Sequence, residues 1–323
     1  MSTVSVIIPV KNRAALLRKT LDNLLAQSRK PDEIIVIDDH STDDFKLVIF
    51  DYITDCIFLN NRGEGPGAAR NLGLSVATGT YIQYFDSDDL MTSGKIEAQV
   101  RALEHTGADM AYGPYVQAEE LTEGWKQRDV VMQYNPLPDS LPLRDWMLRG
   151  WNAITQSCLF RRSLIDRCPP WDTRLITHED YLYLFELSLQ NPGLVHVPEE
   201  AVLYRQHGLQ STLSLTQNES RAMDKMEVLT RIRSALPKSH TQFLSQGLFF
   251  GRMAQNQKYL KSLGADTRRF HGFMGLTDPV WELIYRFYNK SQRNKTSTLW
   301  EPMHGVSTDP NAFASILGKL PHV

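Results

Sequence analysis

Asp86-Ser87-Asp88 is the first point in the chain where chemistry could gather. Two carboxylates one residue apart, directly after an apolar run, can hold a divalent cation with its phosphate ligands, because Mg²⁺ and Mn²⁺ prefer oxygen donors. The same residues also build plain polar turns and helix caps. Asp39 follows another apolar run and could accept the imide N–H of a uracil base; a loop aspartate is the alternative. In Gly63-Glu-Gly65-Pro-Gly67-Ala-Ala-Arg70 the glycines allow close backbone approach, and Arg70 sits one turn into a helix where it could face a diphosphate or make a surface ion pair. The dinucleotide fingerprint fails there, since its third glycine position is Ala68. In His178-Glu179-Asp180-Tyr181 either carboxylate could be a general base, or both could compensate a helix dipole. His207, in Tyr204-Arg205-Gln206-His207, could complete a metal site or pack structurally.

The elements that must position these residues alternate over the first hundred positions. Val4 to Val10 is a continuous apolar run that suits a strand buried on both faces. Leu16, Leu17, Leu21, Leu24 and Leu25 follow at helical spacing. Further strands are expected at Ile34 to Ile37, Ile57 to Leu59 and Tyr81 to Phe85, with helices starting near Ser41-Thr42-Asp43 and covering Ala68 to Ala77. This order predicts an α/β fold with a mostly parallel central sheet and flanking helices. Ligands of such sheets bind at the carboxyl ends of the strands, where Asn12, Asp39 and Asp86 to Asp89 fall. Farther on, strands are expected at Asp109 to Tyr115, Ser157 to Phe160, Leu194 to Val197 and Val202 to Arg205, and a helix at Glu179 to Leu189. Residues 119 to 152 read as a charged turn and a proline-rich loop, and the chain beyond about 215 as largely helical. The division predicted is a catalytic domain over 1–215 and a mainly helical C-terminal region over 216–323.

The composition is that of a globular protein, 42% hydrophobic and 22% charged, with a core of useful size. A formal net charge of −2 gives no electrostatic footprint for nucleic acid. Cys56, Cys158 and Cys168 form neither a disulfide framework nor a zinc pair, which fits a reducing, cytoplasmic compartment. The N-terminal apolar run is too short for a signal-peptide core, and no stretch would span a membrane.

Taken together and in order, the motifs resemble those of glycosyltransferase family 2, with its nucleotide-diphospho-sugar transferase fold of GT-A type. The resemblance runs through Val4-Ser-Val-Ile-Ile-Pro-Val-Lys-Asn12, Glu33-Ile-Ile-Val-Ile-Asp-Asp39-His-Ser-Thr-Asp43, Gly67-Ala-Ala-Arg-Asn-Leu-Gly73, Gly79 to Asp89, Glu179-Asp180 and Tyr204 to His207. His40 departs from it, since the family commonly has Gly or Asn there. The resemblance implies that Pro9, Val10 and Asn12 line the nucleotide pocket, Asp39 recognises the base and Arg70 steadies the diphosphate. Asp86, with Ser87 beside it, would sit by the ribose, Asp88 would bind Mg²⁺ or Mn²⁺ with help from His207, and Asp180 would be the catalytic base. The implied reaction inverts the anomeric centre of a nucleotide-sugar donor, a UDP-sugar best fitting Asp39 with a dTDP-sugar presenting the same imide, and glycosylates a glycan or lipid-linked saccharide acceptor.

A nucleotidyltransferase would want a glycine-rich basic loop after the first strand, and Lys11-Asn-Arg13 has no glycine. A non-catalytic sugar-nucleotide-binding protein would have no need of both Asp88 and Asp180. Trp146 and Trp151 could border the acceptor cleft or pack in the core. Trp281, Ile284, Tyr285 and Tyr288, with basic residues beside them, suit an amphipathic helix packed on the protein or a second subunit, or a peripheral membrane contact near the inner face.

Overall fold

The computed structural model describes residues 2–121, 124–206, 219–236 and 243–267, together with 286, 315, 316, 318 and 319. The chain opens with β1 (Val4–Val10), α1 (Ala14–Leu25), β2 (Glu33–Asp38), α2 (Phe45–Tyr52), β3 (Ile57–Asn60), α3 (Gly65–Val76) and β4 (Tyr81–Tyr84). The aspartate-rich turn then gives way to β5 (Leu90–Met91), α4 (Lys95–Thr106), β6 (Met110–Tyr112), β7 (Tyr115–Leu121) and β8 (Gly124–Met132). Next come α5 (Leu143–Leu148), β9 (Cys158–Arg161), α6 (Arg162–Ile165), α7 (Glu179–Ser188), β10 (Leu194–His196) and β11 (Val202–Gln206). Two long helices follow, α8 (Glu219–Ala235) and α9 (Phe243–Ser262).

Among the described residues the main sheet has the order β10-β6-β9-β4-β1-β2-β3. All neighbours in it are parallel except where β9 pairs antiparallel with β4 and β6. Strand β1 lies between β2 and β4, parallel to both, so their carboxyl ends share one edge. The chain has wound β1 to β3 outward on one side and returns with β4 on the other. That reversal opens a crevice between β1 and β4, where open α/β sheets bind ligands.

Strand alternation decides which layer each side chain enters. Val4, Val6, Ile8 and Val10 of β1 join a core with Leu17, Leu21 and Leu24 of α1 and Ile96 and Val100 of α4. Ile7, with Ile35 and Ile37 of β2, enters the opposite core, shared with α5, α7, α8 and α9. Met226 and Leu229 of α8 and Phe249 and Met253 of α9 belong to that second core, beside Trp171 and Tyr183. The described C-terminal helices are therefore packed on the sheet domain. No described helix is long and apolar enough to cross a membrane.

Two expectations change. Residues 119 to 152 are not only turn and loop: β7 and β8 form an antiparallel hairpin, and β11 and β5 join it in a second sheet of order β5-β11-β7-β8. Helix α2 begins at Phe45, and Ser41-Thr42-Asp43 does not cap it. Ser41 Oγ instead accepts the Asn12 N–H at 2.9 Å, and Asp43 Oδ2 accepts that of Ala14, the first residue of α1, at 2.8 Å. These bonds brace the turn after β1. The segment around Trp281 to Tyr288, apart from Arg286, lies outside the described residues.

Helix α3 must lie close on the sheet for its first turns to reach the crevice. Gly73 permits this: a Cβ there would meet Ile7 Cγ2 at 2.5 Å and Ile37 Cδ1 at 2.8 Å. Gly73→Val should therefore destabilise the fold by about 1–3 kcal/mol through overpacking. An unchanged urea midpoint would show that α3 has room the packing does not provide.

Candidate active site

The crevice is a cleft of about 670 Å³. Pro9, Val10, Asn12, Asp39, Arg70, Asp86, Ser87, Asp88 and Asp180 all line it. These are the sequence-selected site residues except His207, which lies outside the described residues. Strand β1 supplies Pro9 and Val10, and the turn after β2 supplies Asp39. The turn after β4 supplies Asp86 to Asp88, and α7 brings Asp180 across from the far side of the sheet.

The turns carry unusual backbone. Asn12, His40 and His178 have φ of 54°, 62° and 62°, a left-handed conformation that Asn and His tolerate better than most residues. This explains how His40 fits where Gly or Asn would be expected; its Nε2 lies 2.9 Å from the Gly63 carbonyl. Asn12 Oδ1 accepts from Thr42 N–H at 2.7 Å, so its side chain holds the turn as well as lining the cleft. Asp39 is 5% exposed and anchored: Oδ1 accepts from Asn61 Nδ2 at 2.7 Å, and the Gly65 N–H reaches both oxygens at 3.1 and 3.2 Å.

Arg70 is more constrained than a surface ion pair. It is 4% exposed, donates through Nη2 to Asp86 Oδ1 at 3.0 Å and through Nη1 to Glu179 Oε1 at 2.9 Å. Its guanidinium lies 4.5 Å over the Trp171 ring, which stacks on Tyr183 at 4.0 Å. Burial opposes its charge, but the Asp86 and Glu179 carboxylates outweigh burial and hold Arg70 above its ordinary pKa. Burial pushes Glu179 the other way, up to about 7, against the pull of Arg70. Glu179 and Asp180 both line the cleft, and Glu179 is the one tied to Arg70.

Asp180 Oδ1 accepts the Tyr181 N–H at 2.7 Å; its other oxygen has no hydrogen bond among the described residues. Desolvation in the cleft pushes its carboxyl above the ordinary value, with Arg70 pulling back.

The turn after β4 gathers a third carboxylate. Oxygens of Asp86, Asp88 and Asp89 lie within 4.8 Å of one another. Asp88 pairs with Arg13 at 2.7 Å, and Asp86 accepts from Gln156 Nε2. Asp89 Oδ1 accepts the Arg205 N–H at 3.0 Å, while its buried Oδ2 has no hydrogen-bond partner among the described residues. Burial, then Asp88 and Asp86, hold Asp89 well above its ordinary pKa. Crowded hard oxygens with one buried oxygen orphaned fit a divalent cation.

Sequence reading missed Gln156, Trp171 and Arg13 as site residues. The first two are brought in by antiparallel β9 and the segment before α7, and no local motif marks them. Trp146 and Trp151, considered for an acceptor cleft, do not line it. Trp146 is 3% exposed and donates to the Pro138 carbonyl at 3.1 Å, and Trp151 packs edge-on against Tyr112. The proline-rich loop folds both tryptophans inward to the core.

Comparison with known proteins agrees with this geometry. Residues 5–168 match the family model described as Glycosyl transferase family 2. An uncharacterized glycosyltransferase of Rickettsia prowazekii (strain Madrid E) is 37% identical over 295 residues, covering 87% of this chain and 90% of the relative. Another, from Rickettsia felis, is 40% identical over 119 residues, 36% of this chain and only 20% of that protein's length. Among solved structures, S. aureus TarS 1-349 in complex with UDP-GlcNAc superposes with a TM-score of 0.63 at 16% identity, covering 98% of this chain and 85% of that one. The mannosyltransferase PcManGT from Pyrobaculum calidifontis, in complex with GDP-Man and Mn²⁺, gives 0.56 at 16% identity, covering 90% and 80%. The chain belongs to glycosyltransferase family 2 and has the GT-A fold.

The Arg70 bridge yields a stability prediction. Arg70→Met leaves Asp86 and Glu179 facing each other without their cation, and should cost about 3–5 kcal/mol. Arg70→Lys should recover only part, because an ammonium lacks the fork that serves two carboxylates at once. Equal urea midpoints for wild type and Arg70→Met would remove the bridge from the account.

Proposed function

We propose that this enzyme moves a sugar, with inversion, from a nucleotide-diphosphate donor to a hydroxyl of a glycan or lipid-linked acceptor. The observation that carries this reading is one cleft holding the Asp86–Asp88 carboxylates at the end of β4 and Asp180 at the start of α7. A UDP-sugar is the donor we favour. Beyond its bonds from Asn61, Gly65 and, at 3.4 Å, Lys11 Nζ, Asp39 keeps lone-pair capacity to accept an imide N–H. The UDP-GlcNAc held by TarS supports that choice, while PcManGT was solved with GDP-Man.

In this reading Pro9, Val10 and Asn12 form the floor for the nucleotide, and Asp86 and Ser87 border the ribose. Asp88, with Asp89 behind it, would hold Mg²⁺ or Mn²⁺; PcManGT was solved with Mn²⁺. A bound divalent cation supplies charge neutralisation for the leaving diphosphate. Arg70 acts by fixing Asp86 and Glu179 rather than by reaching the diphosphate itself. Asp180 accepts the proton of the acceptor hydroxyl as that oxygen attacks the anomeric carbon. Its bond from the Tyr181 N–H fixes one oxygen and leaves the other for the acceptor. The reaction is expected on the cytoplasmic side.

Two substitutions separate these roles. Asp180→Asn should spare donor binding and lower turnover by about 10²- to 10⁴-fold, the usual cost of a lost general base. Asp88→Ala should weaken Mn²⁺-dependent donor binding as well as rate, read by titration calorimetry and a donor-hydrolysis assay with and without Mn²⁺. Because the base must be ionised and desolvation raises its pKa, activity should fade with falling pH before the ordinary aspartate range of about 4 is reached. Near-normal turnover in Asp180→Asn would mean that another group is the base.

A further inference from the structure

Behind the aspartate-rich turn, the C-terminal region returns to the sheet domain as a short turn. The Lys319 N–H donates to the Ile316 carbonyl at 3.1 Å and closes it. Ile316 is 7% exposed and joins the small core of the second sheet, with Leu90 of β5, Val116 and Ala118 of β7 and Leu203 of β11.

Strand β5 needs such support. It has two residues, where a strand usually has about three to ten. Leu90 and Met91 pair antiparallel with Leu203 and Val202 of β11. One end of this pair carries the carboxylates, since Asp89 immediately precedes Leu90. There the Arg205 N–H donates to Asp89 Oδ1 at 3.0 Å, and Arg205 Nε donates to the Asp88 carbonyl. The place of Asp88 and Asp89 at the cleft therefore depends on how β5 lies against β11.

The C-terminal turn bonds to the opposite end of the pair. The Thr92 N–H donates to the Ala201 carbonyl at 3.0 Å, and the Ala201 N–H returns a bond to Thr92 Oγ1 at 2.9 Å. One residue on, the Ser93 N–H donates to the Lys319 carbonyl at 2.9 Å. Lys319 Nζ donates to the Glu199 carbonyl and stands 3.9 Å from the Glu200 carboxylate. Lys319 thus holds the chain leaving β5 and the chain entering β11 together, while Ile316 shares a core with a side chain from each strand.

We propose that this turn is a clamp on the β5–β11 pair, with Ile316 and Lys319 as positioning residues that set how tightly Asp88 and Asp89 hold a divalent cation. The assignment rests on the metal-dependent donor binding proposed above, and it gives the C-terminal region a part in that binding. Groups that only orient metal ligands still govern metal affinity, because a ligand held out of place binds more weakly. The clamp acts on β5 and β11, whereas the base would be read by Asp39 after β2. Its loss should therefore be felt through the cation and not through the nucleoside.

The test is calorimetric titration of the full chain with UDP, with and without Mn²⁺, which gives the gain in affinity that the cation supplies. Ile316→Ala should lower that gain about tenfold, the low end for a group supporting metal ligands, and leave the metal-free UDP affinity unchanged. Lys319→Met should act in the same direction by a smaller factor, since it removes the Nζ contacts and keeps the backbone bond to Ser93. Ile316→Leu refills the core and should restore the gain. A misfolded variant would lose UDP binding equally with and without Mn²⁺, and such a parallel loss in Ile316→Ala and Lys319→Met overturns the clamp. So does a Mn²⁺ gain equal to wild type in both. A wild-type chain in which Mn²⁺ adds nothing to the affinity for UDP, dTDP or GDP overturns the metal-dependent donor reading instead.

Discussion

The Arg70 guanidinium ties the end of β4 to the start of α7, bonding Asp86 on one side and Glu179 on the other. A buried cation must be paired, and a planar fork can serve two carboxylates at once. The aromatic floor of Trp171 and Tyr183 fixes the plane of that fork. Without this link the sheet edge and the helix would be free to separate, and with them Asp88 and Asp180. The cost of burying a charge is offset here by geometry, since the pairing sets which carboxylates face the cleft and which are consumed in holding it.

Behind the turn after β4 a second buried cation plays a related part. Lys95 is 1% exposed and donates to Gln83 Oε1 at 2.6 Å and Gln99 Oε1 at 2.8 Å. Gln83 Nε2 in turn bonds the carbonyls of Thr155 and Gln156, and Gln99 Nε2 that of Ser157. This network seats the segment from which Gln156 reaches Asp86. Burial pushes Lys95 down to about 7, so the hydrogen bonds to neutral amides hold it in a setting that disfavours its charge. Residues with no part in the chemistry thus determine where the cleft carboxylates stand.

What the sequence disclosed follows from how local each signal is. Strands β1, β2 and β4 are apolar runs ended by polar residues, and the turns after them carry Asn12, Asp39 and Asp86 to Asp88 within a few positions of the signal. The hairpin of β7 and β8 was not legible, because its sequence is rich in charged residues and its partner β11 comes some eighty residues later. The Arg70–Glu179 pair spans 109 positions and leaves no trace in spacing. Ile316 and Lys319 meet β5 and β11 from a part of the chain that no motif marks. Trp146 and Trp151 were ambiguous because an aromatic suits a sugar face and a core equally well; the loop geometry decided for the core.

In the proposed mechanism Asp88 holds the cation while Arg70 stays in its bridge to Asp86 and Glu179. A crystal grown with UDP and Mn²⁺, measured at the manganese absorption edge, tests both at once. The account predicts one anomalous peak against the Asp88 carboxylate and the diphosphate, with Arg70 still bonded to Asp86 and Glu179. A peak remote from Asp88, or an Arg70 that has left both carboxylates to clasp the diphosphate, would contradict it.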